Sequence, residues 1–421
     1  MPIVIFTYNI LYLLLLVIIF PFLLIAALLF EKYRAGFLNR FGIIPSGFKK
    51  KTAGLKNIWL HAASAGEVKS VLPLADELKK KYPGANIVFT TTGINGQRML
   101  KKTSKDIPAC YLPLDLYFFI KPLVNLIKPE ILVIAETEYW PNLFYLAKKN
   151  GAKIVVVNGR FSVKAVKRYG VVSPLMKKVF AFVDRYAMRS EEEAGVLVHF
   201  GVDRKKIIVP GDLKYEIPVT DRDKKEALEK ALKPVLREKV IVLGSVHYKE
   251  AADILKAFKL LKAKTPYVSA ILAPRFLEEI PSFIQFIEAE GLSYTKRTNP
   301  GKEKVDIVIL DTFGELTYSY GLCPVAFVGG SLADGIGGHN LLEPIYLGKP
   351  VLFGPYAFNF RDMEEEVKLN LVGFLVKDAE DLAYKITDLL SDPAMLQNIV
   401  KASNELLEKR KGSLLKTLEV I

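Results

Sequence analysis

Cysteine and histidine are scarce in this chain of 421 residues, which has two Cys and four His. Cys110 and Cys323 stand far apart and neither has a CxxC partner. That argues against a disulfide framework or a cysteine-ligated zinc site, and for two free thiols in a reducing compartment. The chain has no HxxxH or HExxH spacing, so a catalytic zinc is not expected. Low-complexity tracts and short-period repeats are also missing. Charge is missing in two places: residues 1–30 carry no charged side chain, and no acid lies between Glu31 and Glu67.

The first of these charge gaps reads as a membrane segment. Thirty helical residues reach about 45 Å, more than the hydrocarbon thickness of a bilayer. Pro21 is a potential kink. Residues 2–10 contain no Lys or Arg, unlike the basic start of a cleaved signal peptide, so an uncleaved signal-anchor is expected. The second gap contains only basic charges: Lys32, Arg34, Arg40, Lys49, Lys50, Lys51 and Lys56. The positive-inside rule then puts the rest of the chain in the cytoplasm, as a single-pass membrane protein. The same residues suit anionic lipid headgroups. The net charge of +14 does not make this a nucleic-acid binder, because the basic run directly follows the span and no recognised nucleic-acid motif appears.

Past the anchor, strand-like and helix-like segments alternate. Strand candidates are 57–60, 86–91, 131–135, 153–157 and 185–188, then 240–245, 268–273, 306–310, 325–329 and 350–353. Most are short and continuously apolar, as in parallel sheets covered by helices on both faces. Helical stretches such as 68–82 and 116–127 lie between them. The expected fold is α/β, with two Rossmann-like domains facing a cleft. Residues 1–30 form the anchor, 31–56 a basic juxtamembrane segment, 57–212 the first domain and 235–392 the second. The boundary falls near 211–235, and a last helix within 393–421 packs back on the first domain.

Ligands of such sheets bind at the carboxyl ends of the strands, and polar residues gather there. His61-Ala62-Ala63-Ser64-Ala65-Gly66-Glu67 follows the first strand. Its small residues, Ser64 and Gly66 among them, admit a substrate close to the backbone. Glu67 at the helix start would be favoured in its ionised form by the dipole and can act as a general base; its plainer role is to stabilise the helix. Glu136 and Glu138 follow the strand 131–135 and should point to opposite faces if the strand continues, so that only one faces the cleft. Trp140-Pro141-Asn142 comes next, with Pro141 near the first position of a helix. Lys214 sits where the domains join and either offsets charge in a reaction or belongs to a hinge surface.

In the second domain Ser245 and His247 end one strand, Pro274 and Arg275 another, and Phe313, Gly314 and Glu315 follow a third. Arg275 can pair with a phosphate or belong to a surface ion pair, and His247 can simply cap a helix. Gly329-Gly330-Ser331 and Gly337-Gly338-His339-Asn340-Leu341-Leu342-Glu343-Pro344 suggest a nest of N–H groups for a phosphate. Asn340 and Glu343 lie three residues apart, so both can face one ligand, or Asn340 simply caps a helix beside Glu343.

Taken in order, these motifs resemble the 3-deoxy-D-manno-octulosonic acid (Kdo) transferases of lipopolysaccharide synthesis, and the resemblance runs over nearly the whole chain. It implies a glycosyltransferase B fold and transfer of Kdo, with inversion, from CMP-Kdo to the lipid A precursor at the cytoplasmic face of the inner membrane. By position, Glu67 resembles the proton acceptor, Glu136 and Lys214 the transition-state stabilisers, and Pro274, Arg275, Phe313–Glu315 and Asn340–Glu343 the donor site. No metal or other cofactor is implied; CMP-Kdo is a substrate. Arg160 is a further candidate for the Kdo carboxylate. The chain departs from the family pattern at Ala65, where Val or Ile is usual, and at Phe276, where His often follows the Arg; the second departure leaves open any donor contact made by that His. Two rival readings are another sugar-nucleotide enzyme of the same fold, such as a UDP-sugar transferase or epimerase, and a non-catalytic, membrane-tethered nucleotide-binding protein.

Overall fold

The structure is a computed structural model, and it describes residues 1–104, 106–161, 173–215 and 222–421. Part of the expected boundary region, 216–221, therefore lies outside the described residues. The chain forms two compact units, Met1–Glu216 with Arg410–Ile421, and Ile217–Lys409.

Unit 1 is built on a parallel sheet of seven strands: β1 (Asn57–His61), β2 (Asn86–Thr91), β3 (Ala109–Tyr111), β4 (Pro129–Ala135), β5 (Lys153–Gly159), β6 (Arg185–Met188) and β7 (Ile207–Ile208). Their order is β3-β2-β1-β4-β5-β6-β7. The chain reverses its direction of progress across the sheet between β1 and β4, the kind of switch point where crevices open at strand ends. Both faces are covered. Trp59, Val88, Leu132 and Val156 enter one buried cluster, while Ile58, Phe89, Val133 and Val157 enter the other. This two-sided burial is why the strands read as continuous apolar runs.

The N-terminal helix α1 (Ile3–Leu29) belongs to unit 1, is long and apolar enough to cross a membrane, and runs unbroken through Pro21. It lies against its unit part-way along, where the Phe20 ring meets Phe41 edge-on at 5.6 Å. In the basic segment, Arg40 departs from its expected lipid-facing role. Its guanidinium donates to the Thr92 carbonyl at 2.8 Å and covers the Tyr111 ring. Lys49, Lys50 and Lys51 are exposed.

Unit 2 repeats the architecture with β8 (Lys239–Val246), β9 (Val268–Pro274), β10 (Tyr294–Lys296), β11 (Ile307–Ile309), β12 (Val325–Val328), β13 (Val351–Phe353) and β14 (Gly373–Leu375), all parallel. The order is β10-β11-β9-β8-β12-β13-β14, with the switch between β8 and β12. Strands β3, β7, β10 and β14, which the sequence did not announce, have two or three residues each. Both cysteines are free and buried, and burial pushes the Cys323 thiol up to about 12.

The last segment differs from expectation. In place of one helix within 393–421 there are two, Pro393–Arg410 and Ser413–Val420, with Gly412 between them at φ +81°. The second packs in unit 1, where Ser413 Oγ donates to the Pro210 carbonyl at 2.9 Å and Lys81 Nζ to the Leu418 carbonyl at 2.8 Å. Nothing lies within 4 Å of a Cβ built at Gly412, so the cost of a side chain there is purely conformational. Gly412→Ala is expected to destabilise unit 1 by about 1 kcal/mol, a fall of roughly 2–4 °C in its thermal midpoint, measured by circular dichroism.

Candidate functional site

In unit 1 the turn after β1 opens helix α2 (Ala65–Lys81). Ser64 is the N-cap: its hydroxyl accepts from the Glu67 N–H at 3.2 Å and donates to Glu67 Oε1 at 3.0 Å. The Ala63 N–H donates to Glu67 Oε2 at 2.8 Å. Glu67 thus folds back over the turn, half-buried. Gly66 is exposed, and a Cβ there would meet only Ser64 Oγ, at 3.9 Å. Gly93 and Gly96, which sequence reasoning passed over, sit on the other side of the turn. The Gly93 N–H donates to the Ala63 carbonyl at 2.9 Å, and a Cβ on Gly96 would press against that carbonyl and the Thr91 side chain.

The carboxylates after β4 are arranged differently from the alternation expected of a continuing strand. β4 ends at Ala135, and Glu136 has φ +52°. That left-handed residue breaks the pleat, and the two side chains end up near the same centre. Glu136 Oε1 lies 3.2 Å from Lys214 Nζ. Glu138 Oε2 lies 3.5 Å from His61 Nε2 and accepts from Trp140 Nε1 at 3.0 Å. The buried His61 ring is oriented through Nδ1 by Thr90. Lys214 is placed by a second strand end: the Asn158 side chain accepts from the Leu213 N–H at 2.9 Å, and Asp212 from the Lys214 N–H at 2.9 Å.

Electrostatics around Glu67 also overturn an expectation. The helix start was expected to favour the ionised form, and the Ala63 N–H and Ser64 hydroxyl do pull that way. Burial outweighs them, and the like charges of Glu136 and Glu138 add to it, so the Glu67 carboxyl stands above its ordinary value. Arg160 is exposed and sits near Glu193, whose ionised form it favours against burial.

In unit 2 the expected phosphate nest proves to be filled from within. Glu250, fully buried, accepts from the N–H groups of Gly330 (2.7 Å), Ser331 (3.0 Å), Leu332 (2.8 Å) and His247 (3.1 Å). Gly329 and Gly338 donate to the Gly244 and Gly330 carbonyls. These amides are therefore committed to the fold. A buried carboxylate with four donors is a satisfied anion, not a vacancy for another. The clue in the sequence was an acid three residues after His247, the spacing of a capping box.

The groups left to meet a ligand are side chains. Ser245 has φ +54° and ends the regular part of β8. His247 and His339 stack with ring centroids 5.1 Å apart and Nε2 atoms 2.8 Å apart. Burial, then the charge of Arg275, holds His339 down to about 3. His247 is lowered by burial as well. Both rings are therefore neutral near pH 7, with one Nε2 donating to the other. Arg275 follows β9, its N–H bonded to the Val246 carbonyl, and its side chain is exposed. Among the described residues its guanidinium makes no ion pair. Pro274 is buried, Phe313 is exposed, and Gly314 turns at φ +81°. Glu315 pairs with Arg297 at 3.1 Å and accepts from Thr312. Asn340 Nδ2 is 3.4 Å from Glu343 Oε1, and Asn340 Oδ1 accepts from the Leu342 N–H at 3.1 Å. Asn340 and Glu343 thus share a face, in the capping arrangement. Leu341 and Leu342 have fully buried side chains, and the Leu342 N–H and carbonyl are bonded to Asn340 and to the Tyr346 N–H.

Two doubly wound parallel sheets, with carboxylates at the strand ends of one and cationic and imidazole groups at the strand ends of the other, define an α/β protein of the glycosyltransferase B class. The fold is similar to that of the UDP-GlcNAc 2-epimerase of Neisseria meningitidis, solved with UDP-GlcNAc bound: TM-score 0.56, 16% identity, 86% of this chain and 100% of that one covered. The family model of 3-deoxy-D-manno-octulosonic-acid transferase matches residues 35–217. The 3-deoxy-D-manno-octulosonic acid transferase of Aquifex aeolicus is 32% identical over 358 residues, 84% of this chain and 92% of that protein. That of Haemophilus influenzae is 29% identical over 399 residues, 93% and 91% of the two chains. The chain belongs to the Kdo transferase family and is a glycosyltransferase.

Replacing Glu250 by Gln keeps its shape but leaves amide hydrogens facing N–H groups. Glu250→Gln is expected to destabilise unit 2 by about 2–3 kcal/mol, read as a lowered thermal midpoint with unit 1 unchanged.

Proposed function

We propose that this chain transfers Kdo from CMP-Kdo to the lipid A precursor with inversion, releasing CMP, at the cytoplasmic face of the inner membrane. The observation that carries this reading is the Glu67 cluster. A half-buried carboxyl, raised by burial, stands beside a carboxylate–lysine pair at the switch point of a transferase fold. A raised carboxyl is a better base near neutral pH than an ordinary one.

The acceptor hydroxyl oxygen attacks the anomeric carbon of Kdo on the face opposite the phosphate. Glu67 takes the hydroxyl proton as the new C–O bond forms. The bond from the anomeric carbon to the phosphate oxygen breaks, and CMP departs with the electron pair. Glu136 and Lys214 stabilise the transition state. Arg275 offsets charge on the leaving phosphate. Pro274, Phe313, Gly314, Glu315 and the segment Asn340–Glu343 hold the nucleotide. Helix α1 attaches the enzyme to the membrane, and exposed Lys49, Lys50 and Lys51 meet anionic lipid headgroups.

Glu67→Gln is expected to lower kcat by about 10²–10⁴ with little change in the KM for CMP-Kdo, followed as CMP release with lipid A precursor as acceptor. Near wild-type turnover in this variant would remove Glu67 as the base, and release of UDP from a UDP-sugar in place of CMP would remove the donor assignment. The sign of the pH effect follows from the raised carboxyl. The active, ionised form is lost as pH falls through a value above the ordinary one, so kcat/KM declines earlier on acidification than for an exposed Glu. Glu138→Gln removes a like charge and is expected to move that decline to lower pH, measured as the acid limb of the kcat/KM profile.

A further inference from the structure

Helix α1 is apolar except for Thr7, Tyr8, Asn9 and Tyr12 near its start. Thr7 bonds back to the Ile3 carbonyl within the helix. Asn9 Nδ2 also bonds back, to the Ile5 carbonyl at 2.8 Å, but Tyr8 and Asn9 reach into the body of unit 1 as well. Asn9 and Asn142 exchange side-chain amide hydrogen bonds, Asn9 Nδ2 to Asn142 Oδ1 at 2.8 Å and Asn142 Nδ2 to Asn9 Oδ1 at 3.1 Å. Asn9 Oδ1 also accepts from the Tyr117 N–H at 2.9 Å. Tyr8 donates its hydroxyl to Asp115 Oδ2 at 3.2 Å.

The receiving groups are buried, with Asp115 and Asn142 both 0% exposed. Asp115 also accepts from the N–H groups of Asn142 and Leu143, each at 2.9 Å. Those are free donors in the first turn of the helix Pro141–Lys149. Burial pushes the Asp115 carboxyl up to about 7, and the Tyr8 hydroxyl is among the donors that oppose it. An amide in an apolar helix is costly without a partner, and here the Ile5 carbonyl supplies one and the globular unit the others.

The network meets the candidate site through the chain, since Asn142 stands two residues after Trp140. Asn142 closes the Trp140-Pro141-Asn142 motif, for which the reaction has no use. Trp140 Nε1 holds Glu138, and Glu136 begins the same turn. A helix standing free of the unit, with its end at Phe30 nearest, would carry Asn9 about 30 Å away. Buried Asn142, Asp115 and the Tyr117 N–H would each lose a partner.

We propose that Tyr8 and Asn9 are positioning residues, clamping the membrane helix onto Asp115 and Asn142 so that it braces the turn carrying Glu136 and Glu138. This rests on the reading of those carboxylates as part of the transferase site. Helix α1 then acts on catalysis as well as on attachment, and it enters the membrane surface together with unit 1.

The test uses the full chain in detergent with a water-soluble, short-chain acceptor, so that tethering is irrelevant to turnover. Asn9→Leu keeps the helix apolar, and Tyr8→Phe is the milder variant. Amide exchange over residues 137–145 is expected to quicken about tenfold in Asn9→Leu and less in Tyr8→Phe. For Asn9→Leu kcat should fall about tenfold, with the CMP-Kdo KM held within about twofold. Flotation with anionic vesicles should be unchanged. In sealed vesicles an Ile3→Cys variant should react with a membrane-impermeant maleimide from the same side as the catalytic units. Unchanged exchange and kcat in both variants would overturn the proposal, as would labelling of Cys-substituted position 3 only from the opposite side. If the wild type transfers no Kdo, the proposed reaction fails, while exchange and labelling still decide whether the clamp exists.

Discussion

A parallel strand buried on both faces has no room for charge, so in this protein polar chemistry begins where strands stop. Three side-chain-bearing residues at or just past strand ends lie in the left-handed region: Glu136, Asn158 and Ser245. Each is tolerated because flanking strands and hydrogen bonds hold the backbone there. Each also redirects the chain beyond it. Glu136 turns two acids toward Glu67, Asn158 supplies the oxygen that seats Leu213 and so Lys214, and Ser245 leads β8 out to His247. The site is a consequence of how the sheets end.

Buried carboxylates in this fold differ in the number of donors they meet. Glu250 has four backbone N–H partners and locks the glycine turn after β12. Asp115 is likewise surrounded by donors and ties helix α1 to the first turn of Pro141–Lys149. Glu67 has fewer donors, and burial, with the like charges of Glu136 and Glu138 adding to it, leaves its carboxyl above the ordinary value.

Much of this was legible beforehand. The long strands announced themselves as apolar runs bounded by small and polar residues, and the motifs at their ends marked Glu67, Glu136, Lys214, Arg275 and Asn340 before any coordinates. The edge strands β3, β7, β10 and β14 were not legible. Nor was the fate of the glycine turn: Gly329-Gly330-Ser331 reads as an anion cradle, and the anion that fills it is Glu250, about eighty positions away. Alternation failed at Glu136 because it assumes a strand that continues.

Sequence alone determined the alternation of elements, the apolar N-terminal helix, the free cysteines and the family to which the motifs are similar. Local chemistry suffices for these, since periodicity, charge gaps and motif order are written along the chain. Tertiary structure alone decided which donors reach which acceptors. It assigned Glu250 to the glycine turn, Asn9 to Asn142 and Tyr8 to Asp115, and it set the direction of the Glu67 shift. These depend on burial and on partners distant in sequence, and neither quantity exists until the chain has folded.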